Sequence, residues 1–166
     1  MSAWQPEHQR SVLELHYAPV WYRPIGSARP DWSQGSEIGL GVRSTTYVLP
    51  FLLTYSNEPA LRILDSKSYA LSLLQRVYVA MALGPFEPEV GGGLSTVTVD
   101  VFHAHWSAEM FSPRAEAGLW VHLGPVRVGA HAYGEYLWRW FGNTDYLLRG
   151  VSIDLGFEQR PPVEPH

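Results

Sequence analysis

From Val126 to Trp140 the chain alternates with a period of two. Even positions carry Val126, Val128, Ala130, Ala132, Gly134, Tyr136, Trp138 and Trp140; odd positions carry Arg127, Gly129, His131, Tyr133, Glu135, Leu137 and Arg139. This period puts successive side chains on opposite faces of a strand. Soluble strands typically last ~5–6 residues, whereas a tilted strand that crosses a bilayer needs ~9–11. An apolar face and a charged face maintained over this length suit a wall with hydrocarbon on one side and a polar interior on the other.

The pattern recurs. Tyr69, Leu71, Leu73, Val77, Val79, Met81 and Leu83 share one face of Tyr69 to Leu83, with Gln75 as their polar member and Arg76, Tyr78, Ala80 and Ala82 opposite. A buried amphipathic helix is the competing reading there, because Ala, Leu, Gln, Arg and Met form helices well. In Val151 to Phe157, Val151, Ile153, Leu155 and Phe157 oppose Ser152, Asp154 and Gly156. Further strands are expected over Ser11 to Trp21, Glu37 to Val48, Phe51 to Leu64, Phe86 to Phe102 and Glu116 to Leu123. Val90 and the set Val97, Val99 and Val101 lie on opposite parities, so a bulge at Gly91-Gly92-Gly93 is expected.

Composition narrows the function classes. Charged residues make up 17% and the net charge is -4, which offers no basic footprint for nucleic acid. Cysteine is absent, so there is neither a disulfide framework nor a thiolate metal site. Apolar runs fall short of the ~18–20 residues of a spanning helix, and the mean hydropathy is -0.10. The start, Met1-Ser2-Ala3-Trp4-Gln5-Pro6, lacks a basic segment followed by an apolar stretch. An exported protein with this start is expected to be a mature chain, its signal peptide absent and a Met added.

Connections supply a second argument. Leu83-Gly84-Pro85 and Leu123-Gly124-Pro125 are two copies of one tight turn, and Leu49-Pro50 is a candidate third. Between them lie longer polar segments: Arg23 to Ser36, His103 to Ala115 and Phe141 to Asp145, with Asp65-Ser66-Lys67 as a shorter member. Short turns at one end and longer loops at the other belong to outer-membrane barrels. With both termini periplasmic, the apolar-face rings fall at two levels. Trp21, Tyr69, Trp138 and Trp140 mark an extracellular girdle, and Phe51, Phe86 and Phe157 a periplasmic one.

These observations predict an all-β fold: a single antiparallel up-and-down transmembrane β-barrel of about eight strands. It would occupy residues 11–157, between a mobile N-terminal segment (1–10) and a Pro-rich periplasmic tail (158–166). Gly150 to Phe157, with Ile153, Leu155 and Phe157 at alternating positions, resembles the terminal strand read by the outer-membrane assembly machinery, although Leu148 stands where a polar residue is usual. The eight-strand organisation resembles the OmpA/OmpX-type barrels. That resemblance implies a porin-like wall in the bacterial outer membrane, with the lipid bilayer as its first partner and other envelope proteins reached through extracellular loops.

The inward parity collects Glu14, His16, Glu37, Arg43, Arg62, Arg76, Glu87, Glu89, Arg127, His131, Glu135, Arg139 and Asp154. Unpaired buried charge is costly, so these groups are expected to pair and seal an interior only wide enough for side chains. A narrow path for ions is the alternative. His103 and His105 share a strand face and with His122 or His131 could ligate a metal, but no carboxylate stands at a matching spacing, so neither metal nor cofactor is expected.

The first functional reading is therefore non-enzymatic: a structural, adhesion or envelope-complex subunit, with Trp32 and Trp106 exposed for a partner. The second is a lipid-acting esterase. His105-Trp106-Ser107 resembles the His-x-Ser of outer-membrane lipid A deacylases, with Glu109 or Glu116 to orient the imidazole. Ala108, however, replaces the Asn of that family, and the motif comes early in the chain. The third is a soluble lipocalin-like carrier, which would need an apolar interior.

Overall fold

The computed structural model describes residues 9–26, 31–48, 50–65, 68–100, 106–107, 112–141 and 144–159. Its strands are β1 (Gln9–Pro24), β2 (Ser33–Val48), β3 (Phe51–Asp65), β4 (Ser68–Ala80), β5 (Phe86–Asp100), β6 (Trp106–Ser107), β7 (Ser112–Leu123), β8 (Val126–Phe141) and β9 (Thr144–Gln159). Eight of them form a closed antiparallel ring in chain order. Each pairs with the next, β5 pairs with β7, and β9 returns to β1 with Leu15 opposite Leu155. The two-residue β6 lies outside the ring and pairs with the far end of β5. Closure leaves no long unpaired edge. Tyr69 to Leu83, where a helix competed in sequence, is strand as far as Ala80.

The tight turns sit at one end. Leu83 and Phe86 exchange backbone hydrogen bonds of 2.7 and 3.2 Å around Gly84-Pro85. Gly84 and Gly124 have φ of 64° and 70°. A left-handed glycine followed by proline suits the type II′ loop, whose twist matches that of its strands. Val48 likewise faces Phe51 around Leu49-Pro50.

Three expectations are corrected. The last strand begins at Thr144, seven residues before the expected Val151, and β7 begins at Ser112, four before Glu116. The connection expected over Phe141 to Asp145 shrinks to residues 142–143 between β8 and β9. The triple glycine stays in register, with Gly91, Gly92 and Gly93 opposite Tyr78, Val77 and Arg76. The parity switch comes later, where Ser72 faces Thr98 but Leu74 faces Ser95. That extra residue in β5 is a bulge near the sheet's outer end, where bulges concentrate.

The wall is inside out relative to a soluble barrel. Ile153 is 64% exposed and Val90 61%, while Arg43, Arg62 and Arg127 are fully buried. Leu15, Leu40, Leu53, Val77 and Val79 also face outward. Inward glycines make room for long polar side chains in the narrow interior. A Cβ at Gly39 would meet the Glu58 carboxylate and the His16 ring, one at Gly129 the Trp120 ring, and one at Gly156 the Arg127 side chain.

Candidate functional site

The interior is the densest concentration of chemistry in the molecule. Among the described residues it buries eight carboxylates (Glu14, Glu37, Glu58, Glu87, Glu89, Glu116, Glu135 and Asp154), five arginines and two histidines. Strand alternation delivers each of them inward, and the ring brings together residues distant in sequence.

At the short-turn mouth, Arg10 lies 2.8 Å from Glu87 and 3.1 Å from Glu158, and His122 is 3.0 Å from Glu87. Arg127 lies over the Trp120 ring at 4.2 Å, with Glu87 at 3.7 Å. Its guanidinium hydrogens find no acceptor among the described residues.

One layer deeper, Arg43 pairs with Glu89, with Glu14 at 3.5 Å. Glu89 also accepts from Trp120 Nε1 (3.0 Å). His131 bridges Glu89 and Asp154 through its two ring nitrogens, both at 2.7 Å. Arg76 pairs with Glu58 and lies 3.5 Å from Glu116, which accepts from Tyr78 Oη (3.0 Å) and Arg114 Nε (2.9 Å). His16 contacts Glu58 and Glu37.

In the next layer the arginines cross the bore. Arg62 of β3 donates to Glu37 (2.6 Å) and in two-pronged fashion to Glu135 of β8 (3.0 and 2.6 Å). Arg114 of β7 donates to Glu37 of β2 (2.8 Å) and stacks 3.4 Å above Tyr133. Ring order places β3 opposite β8 and β2 opposite β7, so the forked Arg62–Glu135 bond and the single Arg114–Glu37 bond both span the bore. Charge-assisted, two-pronged pairs are the strong ones, and breaking one would leave an uncompensated buried charge.

Above the charges the lining turns apolar. Ala18, Val20, Ala70, Leu137 and Leu148 pack with Tyr133, and Tyr22 and Tyr146 lie against them. Leu148, the departure from the terminal-strand pattern, belongs to this plug.

The expected lumen residues Glu14, His16, Glu37, Arg43, Arg62, Arg76, Glu87, Glu89, Arg127, His131, Glu135 and Asp154 are all buried inside the ring. The Arg139 side chain lies outside the described residues. Sequence reading missed Glu58, Arg114, Tyr78, Trp120 and Tyr133 as partners. Glu58 occupies an inward position of β3 within the expected strand Phe51 to Leu64, between Asn57 and Pro59. Arg114 fell in a segment expected to be loop.

Of the expected girdle rings, Phe51, Phe86 and Phe157 are 44%, 48% and 44% exposed and sit beside the tight turns. Trp138 is 58% exposed toward the other end of the wall, and Trp21 and Tyr69 are half-buried there. The Trp140 side chain lies outside the described residues.

Glu116 does not join the esterase constellation considered in sequence. Glu116 is buried in the lumen opposite Gly91, whereas Ser107 pairs with Thr98, seven residues along β5 and about 20 Å away. His103, His105 and Glu109 lie outside the described residues. Of the histidines considered for metal, His122 and His131 are engaged by carboxylates. No group of three or more His, Cys, Asp or Glu among the described residues is arranged to hold a metal ion.

No protein-family model matches the sequence, and no curated protein matches it. Among solved structures, the chain is similar to Neisserial surface protein A (NspA), with a TM-score of 0.59 and 11% identity, covering 89% of this chain and 97% of that one. It also aligns with Ail, the attachment invasion locus protein of Yersinia pestis, solved in complex with the heparin analogue sucrose octasulfate. There the TM-score is 0.38 and the identity 12%, over 90% of this chain and 99% of that one. The likeness to NspA establishes the fold as that of a small eight-strand outer-membrane barrel.

Proposed function

We propose that the chain spans the bacterial outer membrane as a non-conducting barrel whose work is done by its outside, as a structural, adhesion or envelope-complex subunit. One observation carries this reading: the bore is filled. Forked arginine bonds cross it between β3 and β8, and an apolar plug of Val20, Leu137 and Leu148 lies above them. An aqueous path needs a continuous file of water, and a layer of packed aliphatic side chains withholds it. A lumen lined by paired charges among the described residues is equally ill-suited to a carrier's apolar ligand.

The outward belt of leucine, valine and isoleucine supports the membrane setting. On a water-exposed surface it would far exceed the few hundred Å² of contiguous apolar area that soluble monomers expose. The short-turn end would then face the periplasm, with both chain ends leaving there, since Ser11 pairs with Gln159.

The reading is tested by planar-bilayer recording of the refolded protein. Silence at transmembrane voltages of either sign is expected. Discrete, reproducible conductance steps would overturn the sealed lumen.

A further inference from the structure

Outside the lumen, two arginines behave unlike the rest. Every described lumen arginine faces at least one carboxylate within 4 Å. Arg23 and Arg149 face none among the described residues. Both guanidiniums instead lie over one indole, Trp32, at 5.0 and 4.2 Å from the ring centroid. Both point outward at the end of the wall away from the tight turns, Arg23 opposite Leu147 and Arg149 opposite Trp21. Two like charges are thus held within about 9 Å of each other beside an apolar belt. Over the aromatic face their N–H groups meet no carboxylate among the described residues. Such groups match the geometry of phosphate oxygens.

Directly below lies a groove on the outer wall. It is lined by Trp21, Ala132, Tyr133, Arg149, Gly150 and Val151 and has a volume of about 370 Å³, within the range of small-ligand sites. Arg149 is common to both features: its side chain reaches the indole, and its residue closes the top of the groove. Small outward residues leave the groove open: Ala132 faces Val151 on one side and Ala117 on the other, with Ala130 and Gly134 next to it along β8.

We infer that this rim binds a phosphate-bearing acylated lipid of the surrounding leaflet, its phosphate forked by Arg23 and Arg149 on Trp32 and one acyl chain lying in the groove below. The inference rests on the membrane reading above and adds a ligand class and a site to it. A phosphate there neutralises two charges that otherwise meet low dielectric without a counter-ion, and the groove supplies contact for a tail that water-soluble anions lack.

The test is native mass spectrometry of the folded protein released from detergent micelles. The probes are dioleoyl phosphatidate, dioleoyl phosphatidylcholine and inorganic phosphate, and folding is checked by the heat-dependent shift in gel mobility. Phosphatidate should bind in preference to phosphatidylcholine, whose choline cation opposes the arginines. Its affinity should fall with added KCl and drop at least tenfold in the Arg23→Gln/Arg149→Gln variant. The single Arg149→Gln change should give an intermediate loss. Millimolar inorganic phosphate should fail to compete.

Equal retention of the two lipids, or unchanged phosphatidate binding in the double variant, would overturn the proposal while the barrel reading stands. Full competition by inorganic phosphate would reduce the site to one for free anions and overturn the lipid. Failure of the wild-type chain to fold in micelles would remove the membrane reading itself.

Discussion

Replacing Ile153 with arginine probes the orientation of the whole wall. Ile153 is 64% exposed on the outer face of β9, four residues from Phe157 toward the tight turns and four from Arg149 toward the rim. At about 3.3 Å per residue and a tilt near 40°, four residues climb about 10 Å along the barrel axis. Ile153 thus sits near the middle of an apolar band ~25 Å tall. An arginine at that depth costs about 2–4 kcal/mol, falling to about 0–1 near the interface. Leu123, 61% exposed beside the Gly124 turn, is the shallow control. The same substitution at the two positions should therefore differ by about 2 kcal/mol, roughly thirtyfold in the folded-to-unfolded ratio. Urea titration of folding into phosphatidylcholine vesicles, followed by tryptophan fluorescence, measures this by linear extrapolation. In water both positions are plain surface, and arginine at either would be nearly neutral. Equal costs for Ile153→Arg and Leu123→Arg, or a wild-type chain that stays folded and monomeric without lipid or detergent, would refute the assigned outer face.

Two further perturbations address the interior. Arg62→Met strips Glu135 of its forked partner and Glu37 of one donor, and should cost about 3–5 kcal/mol in the same titration. Adding Glu135→Leu should recover a large part of that loss, because a matched apolar pair leaves less buried charge uncompensated. Additive losses would show that the two side chains do not interact. Gly91→Ala and Gly134→Ala make the same chemical change on opposite faces. A Cβ at Gly91 would run into the Val77 carbonyl and the Tyr78 ring, whereas one at Gly134 meets nothing within 4 Å. The first should destabilise by about 1–3 kcal/mol and the second should be neutral or slightly stabilising, so similar unfolding midpoints would contradict the tight packing of β5 against β4.

Sequence contrast between the two faces made the barrel legible, and it faded wherever that contrast did. Along β8, Arg127, His131 and Glu135 alternate with valine, alanine and tyrosine, so length, parity and orientation could all be read. Along the first half of β9 the inward residues are Tyr146 and Leu148, both part of the plug, and the outward ones include Arg149. Apolar inside and charged outside inverts the pattern locally, and the strand was invisible there although its ladder with β8 is continuous from Leu137 opposite Tyr146 to Val126 opposite Phe157. Ala18 and Val20 blur the end of β1 for the same reason, and Pro113 with Ala115 blurs the start of β7 by weak strand propensity. Partner identity was out of reach for a different reason. Alternation assigns a residue to a face, but which guanidinium meets which carboxylate depends on ring closure and on the bore's diameter. Arg62 reaches Glu135 across 73 residues of chain because the ring sets β3 opposite β8. The rim arginines carry the converse lesson. In sequence Arg23 opened an expected loop and Arg149 stood just before the expected last strand, and neither marked a site. In the folded wall the two converge on a single indole at one height, and the pair becomes intelligible as a site once closure shows what it faces.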